Sequence, residues 1–117
     1  MEKEYLNVCF AQLSLTLENS DTSEFLVENE AYHSQMERVL NYLEASEFDV
    51  MVFPEISFSK KYSDRLLSLS KGRLIVFGST YIEGENITVV YYDGKEHLVK
   101  KRFLCAVEPA VRSCERI

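Results

Sequence analysis

Eight residues, Phe48-Asp49-Val50-Met51-Val52-Phe53-Pro54-Glu55, constrain this chain more than any other stretch. An unbroken apolar run closed by a breaker is the pattern of a strand buried on both faces, the usual state of a central strand in an α/β sheet. Pro54 has no N–H and a fixed φ, so the ladder must stop there. Glu55 is then presented at the carboxyl end of a buried strand, where open α/β sheets tend to place their ligands. Partial desolvation at such a position favours the neutral form of a carboxylate and suits it to work as a general base. The same residue also reads as an ordinary strand-end carboxylate in solvent, or as a cap on the next segment. The run by itself leaves these readings open.

The rest of the chain supplies a sheet around this strand. Tyr5 to Leu13 alternates Leu6, Val8 and Phe10 against the small Cys9 and Ala11, which predicts a first strand closed by Gln12. Thr16 to Ser23 is polar and turn-prone, and reads as a loop. Tyr32, Met36, Val39, Leu40 and Leu43 recur at helical spacing, so a helix is expected from about Asn29, its N-cap, to Ala45. Beyond Glu55, Ser59 is placed to cap a second helix over about Lys60 to Ser70, with Gly72 supplying a left-handed stop.

Arg73 to Ile82 is a third strand, and Gly78 within it permits close backbone approach. Glu83-Gly84-Glu85 is a turn, Asn86 to Tyr92 a strand, Asp93-Gly94 a two-residue hairpin and Glu96 to Lys100 the returning strand. The order β-α-β-α-β-β-β implies an α/β fold with a sheet of mixed direction, parallel first and antiparallel later.

Composition narrows the function classes. A chain of 117 residues is one domain or part of one, and its 46% hydrophobic content is enough to form a core. The net charge of −6 argues against nucleic acid or an anionic membrane as a partner, because both are held by a basic face. No apolar run approaches a bilayer span, and Met1-Glu2-Lys3-Glu4 is too charged to open a signal peptide, so the expected location is cytoplasmic. Cys9, Cys105 and Cys114 are an odd number without a CxxC pair. Neither a disulfide framework nor a zinc site is expected. His33 and His97 are far apart, and each reads as a boundary or surface residue. No metal or other cofactor is expected.

Taken in order, several pieces resemble the amino-terminal half of the nitrilase superfamily, the carbon–nitrogen hydrolases. These are the first strand ending Ala11-Gln12, the Phe48–Glu55 segment, Phe77-Gly78-Ser79-Thr80-Tyr81, Asn86, the Asp93-Gly94 hairpin and Lys101-Arg102-Phe103-Leu104-Cys105-Ala106-Val107-Glu108. The resemblance runs over residues 6 to 108. It implies an αββα sandwich, of which residues 1–117 would form the amino-terminal part, a mixed sheet of about five strands with two helices on one face. A carboxyl-terminal half, absent here, normally closes that fold, and pairing into dimers is common.

The resemblance also implies roles. Glu55 would be the general base, Lys101 the cation that steadies a tetrahedral oxyanion, and Glu108 a second acid that orients or relays protons. Such a site cleaves a non-peptide C–N bond of a small amide or nitrile through a cysteine thioester. A thiol needs a base to become a thiolate, and the carbonyl oxygen needs a preorganised positive charge. Lys100 competes with Lys101, but the spacing to Leu104 and Glu108 favours Lys101. The family's nucleophilic cysteine follows the lysine by a few dozen residues and has no counterpart here. Cys105 lies too close to Lys101, Cys9 sits in a strand as a small hydrophobe, and Cys114, between Arg112 and Arg116, lacks the family's turn. The expected partners are therefore a complementing second half or further copies of the chain, besides the small-molecule substrate. Two other readings stand beside the hydrolase: a nitrilase-like binding or scaffold module without chemistry, and an unrelated α/β regulatory domain in which Pro54-Glu55 is coincidental.

Overall fold

The computed structural model describes residues 5–19 and 24–100. In chain order the elements are β1 (Val8–Phe10), β2 (Leu17–Asn19), β3 (Glu24–Leu26), α1 (Glu30–Glu44), β4 (Val50–Phe53), a 3-10 turn (Lys60–Tyr62), α2 (Ser63–Leu69), β5 (Leu74–Ile82), β6 (Glu85–Tyr92) and β7 (Lys95–Lys100). Five strands form one mixed sheet in the order β1-β4-β5-β6-β7. β1, β4 and β5 are parallel, while β6 runs against β5 and β7 against β6. It follows that β4, β5 and β7 all end at the same edge of the sheet.

The alternation of side chains divides the sheet into two faces of different fate. Met51, Phe53, Ile75, Phe77, Val89 and Tyr91 point to one face and are buried. They form a single apolar cluster with Tyr32, Met36, Leu40 and Leu43 of α1 and with Leu66 and Leu69 of α2. The Phe53 and Phe77 rings on neighbouring strands stack 4.3 Å apart. Both helices therefore cover the same face, as their apolar stripes require. The opposite face carries Val8, Phe10, Val50, Val52, Leu74, Val76, Val90, Tyr92 and Val99. Phe10 is 75% exposed there and Tyr92 56%. Among the described residues, no element packs on this second face.

Local chemistry explains the boundaries. Asn29 Oδ1 accepts from the Tyr32 N–H at 2.9 Å and starts α1. Asp49 Oδ2 accepts from the Asn7 N–H at 2.8 Å, which pins the entry of β1 beside β4. Asp93 and Gly94 both have positive φ, 49° and 79°, as the tight hairpin demands. On the outer helical surface Arg65 of α2 donates to Glu37 at 2.7 Å and to Glu44 at 3.0 Å, both on α1.

Three expectations are corrected. β1 covers only Val8–Phe10 rather than Tyr5–Leu13, because β4, its one neighbour among the described residues, is itself stopped after four residues by Pro54. The stretch read as a loop, Thr16 to Ser23, contains β2, which pairs with β3 as a separate antiparallel ribbon. Its apolar signal was too sparse, yet Leu15 and Leu26 pack against the core cluster. Ser59 does act as a cap, accepting from Lys61 N–H at 3.2 Å, but the turn it starts is 3-10 and only then continues as α2.

Candidate functional site

Glu55 follows β4 in a turn that is held from several sides. Ile56 donates its N–H to the Ser79 carbonyl at 2.9 Å. Ser57 Oγ donates to the Pro54 carbonyl at 2.5 Å, and the buried Tyr32 hydroxyl on α1 donates to the Ser57 carbonyl at 2.6 Å. Ile56 itself has φ 53°, a left-handed conformation that is costly for a β-branched residue. A turn strained in this way persists only when its surroundings over-determine it. Here the anchors on Ser79, Pro54 and Tyr32 do so.

Beside this turn, β5 carries a bulge. The register steps from Phe77 opposite Val89 to Thr80 opposite Ile87, so Gly78 and Ser79 together face Thr88. A Cβ on Gly78 would lie 2.8 Å from Glu55 N, 2.9 Å from its Cγ and 3.0 Å from its Cα. The close approach expected at Gly78 is thus to the backbone of Glu55. Because Phe77 is buried on the helix face, the adjacent Gly78 presents the open face, and Glu55 Cγ passes over it there.

Glu55 is exposed, not partly desolvated as its strand-end position suggests. The reason is geometric: its side chain crosses toward the sheet face on which no described element packs. On the same face, opposite Tyr81, lies Asn86, whose position follows from Ile87 being buried on the helix side. Asn86 Oδ1 is fully enclosed and has no hydrogen-bond partner among the described residues. An enclosed acceptor without a donor costs about 1–3 kcal/mol, so such an atom points to a missing partner.

Lys101 and Glu108 lie outside the described residues, as do Cys105 and Cys114. Lys100 is described, and it stands directly opposite Ile87 in the β6–β7 ladder, on the helix side of the sheet. Its Nζ donates to Glu85 at 2.8 Å, an exposed pair. It therefore points away from Glu55. Cys9 is partly buried and lines a groove of about 270 Å³ between β1 and α1, with Met51 and Leu43 among its walls. His97 is exposed on β7, whereas His33 is partly buried with its Nδ1 2.6 Å from the Tyr62 hydroxyl. Burial pushes the Tyr32 hydroxyl well above the ordinary tyrosine value, with the Glu28 carboxylate adding to the shift, and raises Tyr62 as well, helped by Glu37 and then Glu28. Tyr32 acts as a fixed donor to the Ser57 carbonyl, and both rings pack in the core cluster.

Sequence reasoning found Glu55 and Gly78 but not the devices that hold them. Tyr32 read only as one position of an apolar stripe, and nothing in the string Ile56-Ser57 signals a left-handed turn. Asn86 was visible as a strand opener, with no sign that its oxygen would be orphaned.

No family model, curated protein or solved structure matches this chain. The class that the geometry itself defines is an α/β protein with a mixed five-stranded sheet and two helices. No helix among the described residues is long and apolar enough to cross a membrane.

Proposed function

We propose that this chain is the amino-terminal portion of a nitrilase-like thiol hydrolase, with an αββα-sandwich architecture completed by a second half. The observation that carries the reading is the seat of Glu55. It stands at the carboxyl end of the interior strand β4, on a strained turn bonded to the β5 bulge, and its side chain crosses Gly78 toward the apolar sheet face without a described cover. A second sheet lying about 10 Å above that face would bury it and bring further side chains over Glu55.

In the completed site Glu55 takes the proton of a cysteine thiol supplied by the second half. The thiolate adds to the amide carbonyl, and the Lys101 ammonium receives the negative charge that forms on oxygen. Collapse of this intermediate breaks the C–N bond, with Glu55 returning its proton to the leaving amine. Water, with Glu55 again as base, hydrolyses the thioester, and Glu108 orients the groups that exchange protons. Closure of the second half would also remove Glu55 from solvent, which this chemistry requires.

Native mass spectrometry of the untagged protein from its own source tests the reading. The expected result is a subunit heavier than 13.6 kDa, or a stable complex with a second, cysteine-bearing chain. In that complete form, Glu55→Gln is expected to abolish amide hydrolysis while leaving the unfolding midpoint nearly unchanged. A bare 13.6 kDa chain with no such partner supports the second reading, a binding module.

A further inference from the structure

The five-stranded sheet ends in two edges of opposite character. β7 is exposed along its length and carries Lys95, Glu96 and Lys100, the kind of charge that discourages an edge from pairing. β1 carries none. Residues 5–17 hold no charged side chain, the longest such run in the sequence. Leu6 is 63% exposed there, Val8 46% and Phe10 75%.

The ladder shows what this edge offers. Asn7 O accepts from the Val50 N–H at 3.1 Å, and the Ala11 N–H donates to Val52 O at 3.0 Å, so residues 7, 9 and 11 face β4. Alternate residues of a strand turn their N–H and C=O to opposite sides. Val8 and Phe10 therefore direct theirs outward, where no strand lies among the described residues.

We propose that a second copy of this chain occupies that edge, the two β1 strands running antiparallel about a twofold axis through Cys9. This register pairs the whole of β1 with the whole of its copy. Val8 of one copy stands opposite Phe10 of the other, each such pair exchanges two hydrogen bonds, and every outward group of Val8 and Phe10 is used. On the open face it sets β-branched against aromatic side chains, a favourable cross-strand pairing. On the helix side the seam is made by Cys9 and Ala11, both small, under the groove between β1 and α1. Charge selects the place. Copies of a chain with net charge −6 repel one another, and across the neutral run they meet with no carboxylate on the seam strands. Two five-stranded sheets then become one continuous sheet. The inference does not rest on the hydrolase reading.

The full chain is used with Cys105 and Cys114 replaced by alanine, which leaves Cys9 as its thiol. Sedimentation equilibrium at micromolar concentration is expected to give twice the 13.6 kDa chain mass. In the dimer the two Cys9 residues form a non-hydrogen-bonded pair with Cα atoms about 4.5 Å apart, within disulfide range. Diamide, which takes up the two thiol hydrogens, is expected to link them into a dimer that survives denaturant and is released by a reducing agent. In Leu6→Cys combined with Cys9→Ala, position 6 stands opposite Gln12, so the two thiols lie about 20 Å apart along the strands and no link is expected.

Phe10→Pro removes an outward N–H that the β1–β4 ladder does not use, and Phe10→Lys sets a charge on the seam. Both are expected to sediment as monomers with the far-ultraviolet circular dichroism of the parent, and Phe10→Lys keeps the test decisive if the proline variant folds poorly. A monomeric parent overturns the proposal, including one whose edge is filled by a different chain. So do dimers that persist in both Phe10 variants, or a link through Leu6→Cys as efficient as that through Cys9.

Discussion

Replacing Gly78 with alanine tests the most exacting contact in the structure. Glycine in a strand interior normally gives up stability, and alanine in its place gains about 0.4–1 kcal/mol by restricting the unfolded chain. At Gly78 the added methyl would sit 2.8 Å from Glu55 N and 3.0 Å from Glu55 Cα. Optimal separations for such atoms are about 3.5–4.0 Å, so the methyl is short of room by roughly 0.7 Å on its backbone side. Backbone on two bonded strands cannot yield as a flexible side chain does, because Ile56 N is tied to Ser79 O. Overpacking of this kind costs about 1–3 kcal/mol, which outweighs the unfolded-state gain and leaves a net loss of about 1–2 kcal/mol. Urea unfolding followed by circular dichroism should show the midpoint falling by roughly 1 M with an unchanged slope. Thermal unfolding should fall by about 5–15 °C.

A double-mutant cycle then separates backbone from side chain. Glu55→Ala removes the Cγ contact at 2.9 Å but leaves N and Cα in place. The two substitutions together should therefore retain most of the Gly78→Ala loss, with a coupling below about 0.5 kcal/mol. A stabilised Gly78→Ala variant, or complete rescue by Glu55→Ala, would refute the reasoning that β5 is closed against the backbone of the Glu55 turn.

Three further outcomes follow from the packing. Asn29→Ala removes the oxygen that accepts the Tyr32 N–H and is expected to cost about 1 kcal/mol in urea unfolding, whereas Asn29→Ser or Asn29→Asp should cost little. Arg65→Ala breaks its bonds to Glu37 and Glu44, but Arg65 is only partly buried and both carboxylates are about half exposed; a loss below about 1 kcal/mol that shrinks in 1 M salt is expected, and a larger, salt-independent loss would contradict a surface role. Tyr32 and Tyr91 have raised values in the fold, by burial first, then by Glu28 for Tyr32 and by the acceptor Glu96 for Tyr91. A group that binds its proton more tightly when folded contributes fully below its unfolded value, so stability should hold to about pH 10 and then decline by about 1.4 kcal/mol per pH unit for each such tyrosine. Absorbance at 295 nm should show their ionisation appearing only with unfolding. Ionisation of all seven tyrosines in a folded chain would exclude this assignment.

The elements legible in the sequence were those whose signal is local. Asn29, the Tyr32–Leu43 stripe, the run from Val50 to Phe53, the Pro54 stop and the Asp93-Gly94 turn each carry their own instruction, and each is found in place. What escaped depends on the partner. The length of β1 is set by β4, and the β2–β3 ribbon forms because two weak, exposed strands meet each other. The burial of Glu55 was inferred from strand position, whereas exposure is decided by which sheet face its side chain crosses and by what packs on that face.

That last point separates two kinds of information in the open face. Val50, Val52, Val76 and Val90 are as apolar as the buried Met51, Phe53, Phe77 and Val89 beside them, so the sequence treats both sides of the central strands as interior. The helices of the described chain cover one side only. A buried face on one side is explained by contacts already present. An equally apolar face on the other is the kind of surface that a further layer or self-association covers. The orphaned Asn86 oxygen and the exposed Glu55 carboxylate lie toward the end of that same face. Three separate deficits, of apolar cover, of a hydrogen-bond donor and of desolvation around an anchored carboxylate, therefore converge on one side of one sheet. A cover that supplied only apolar surface would still leave the Asn86 oxygen without a donor. On the proposed reading, a second layer over this face would bring a hydrogen-bond donor and a dry cover together at the carboxyl ends of β4 and β5.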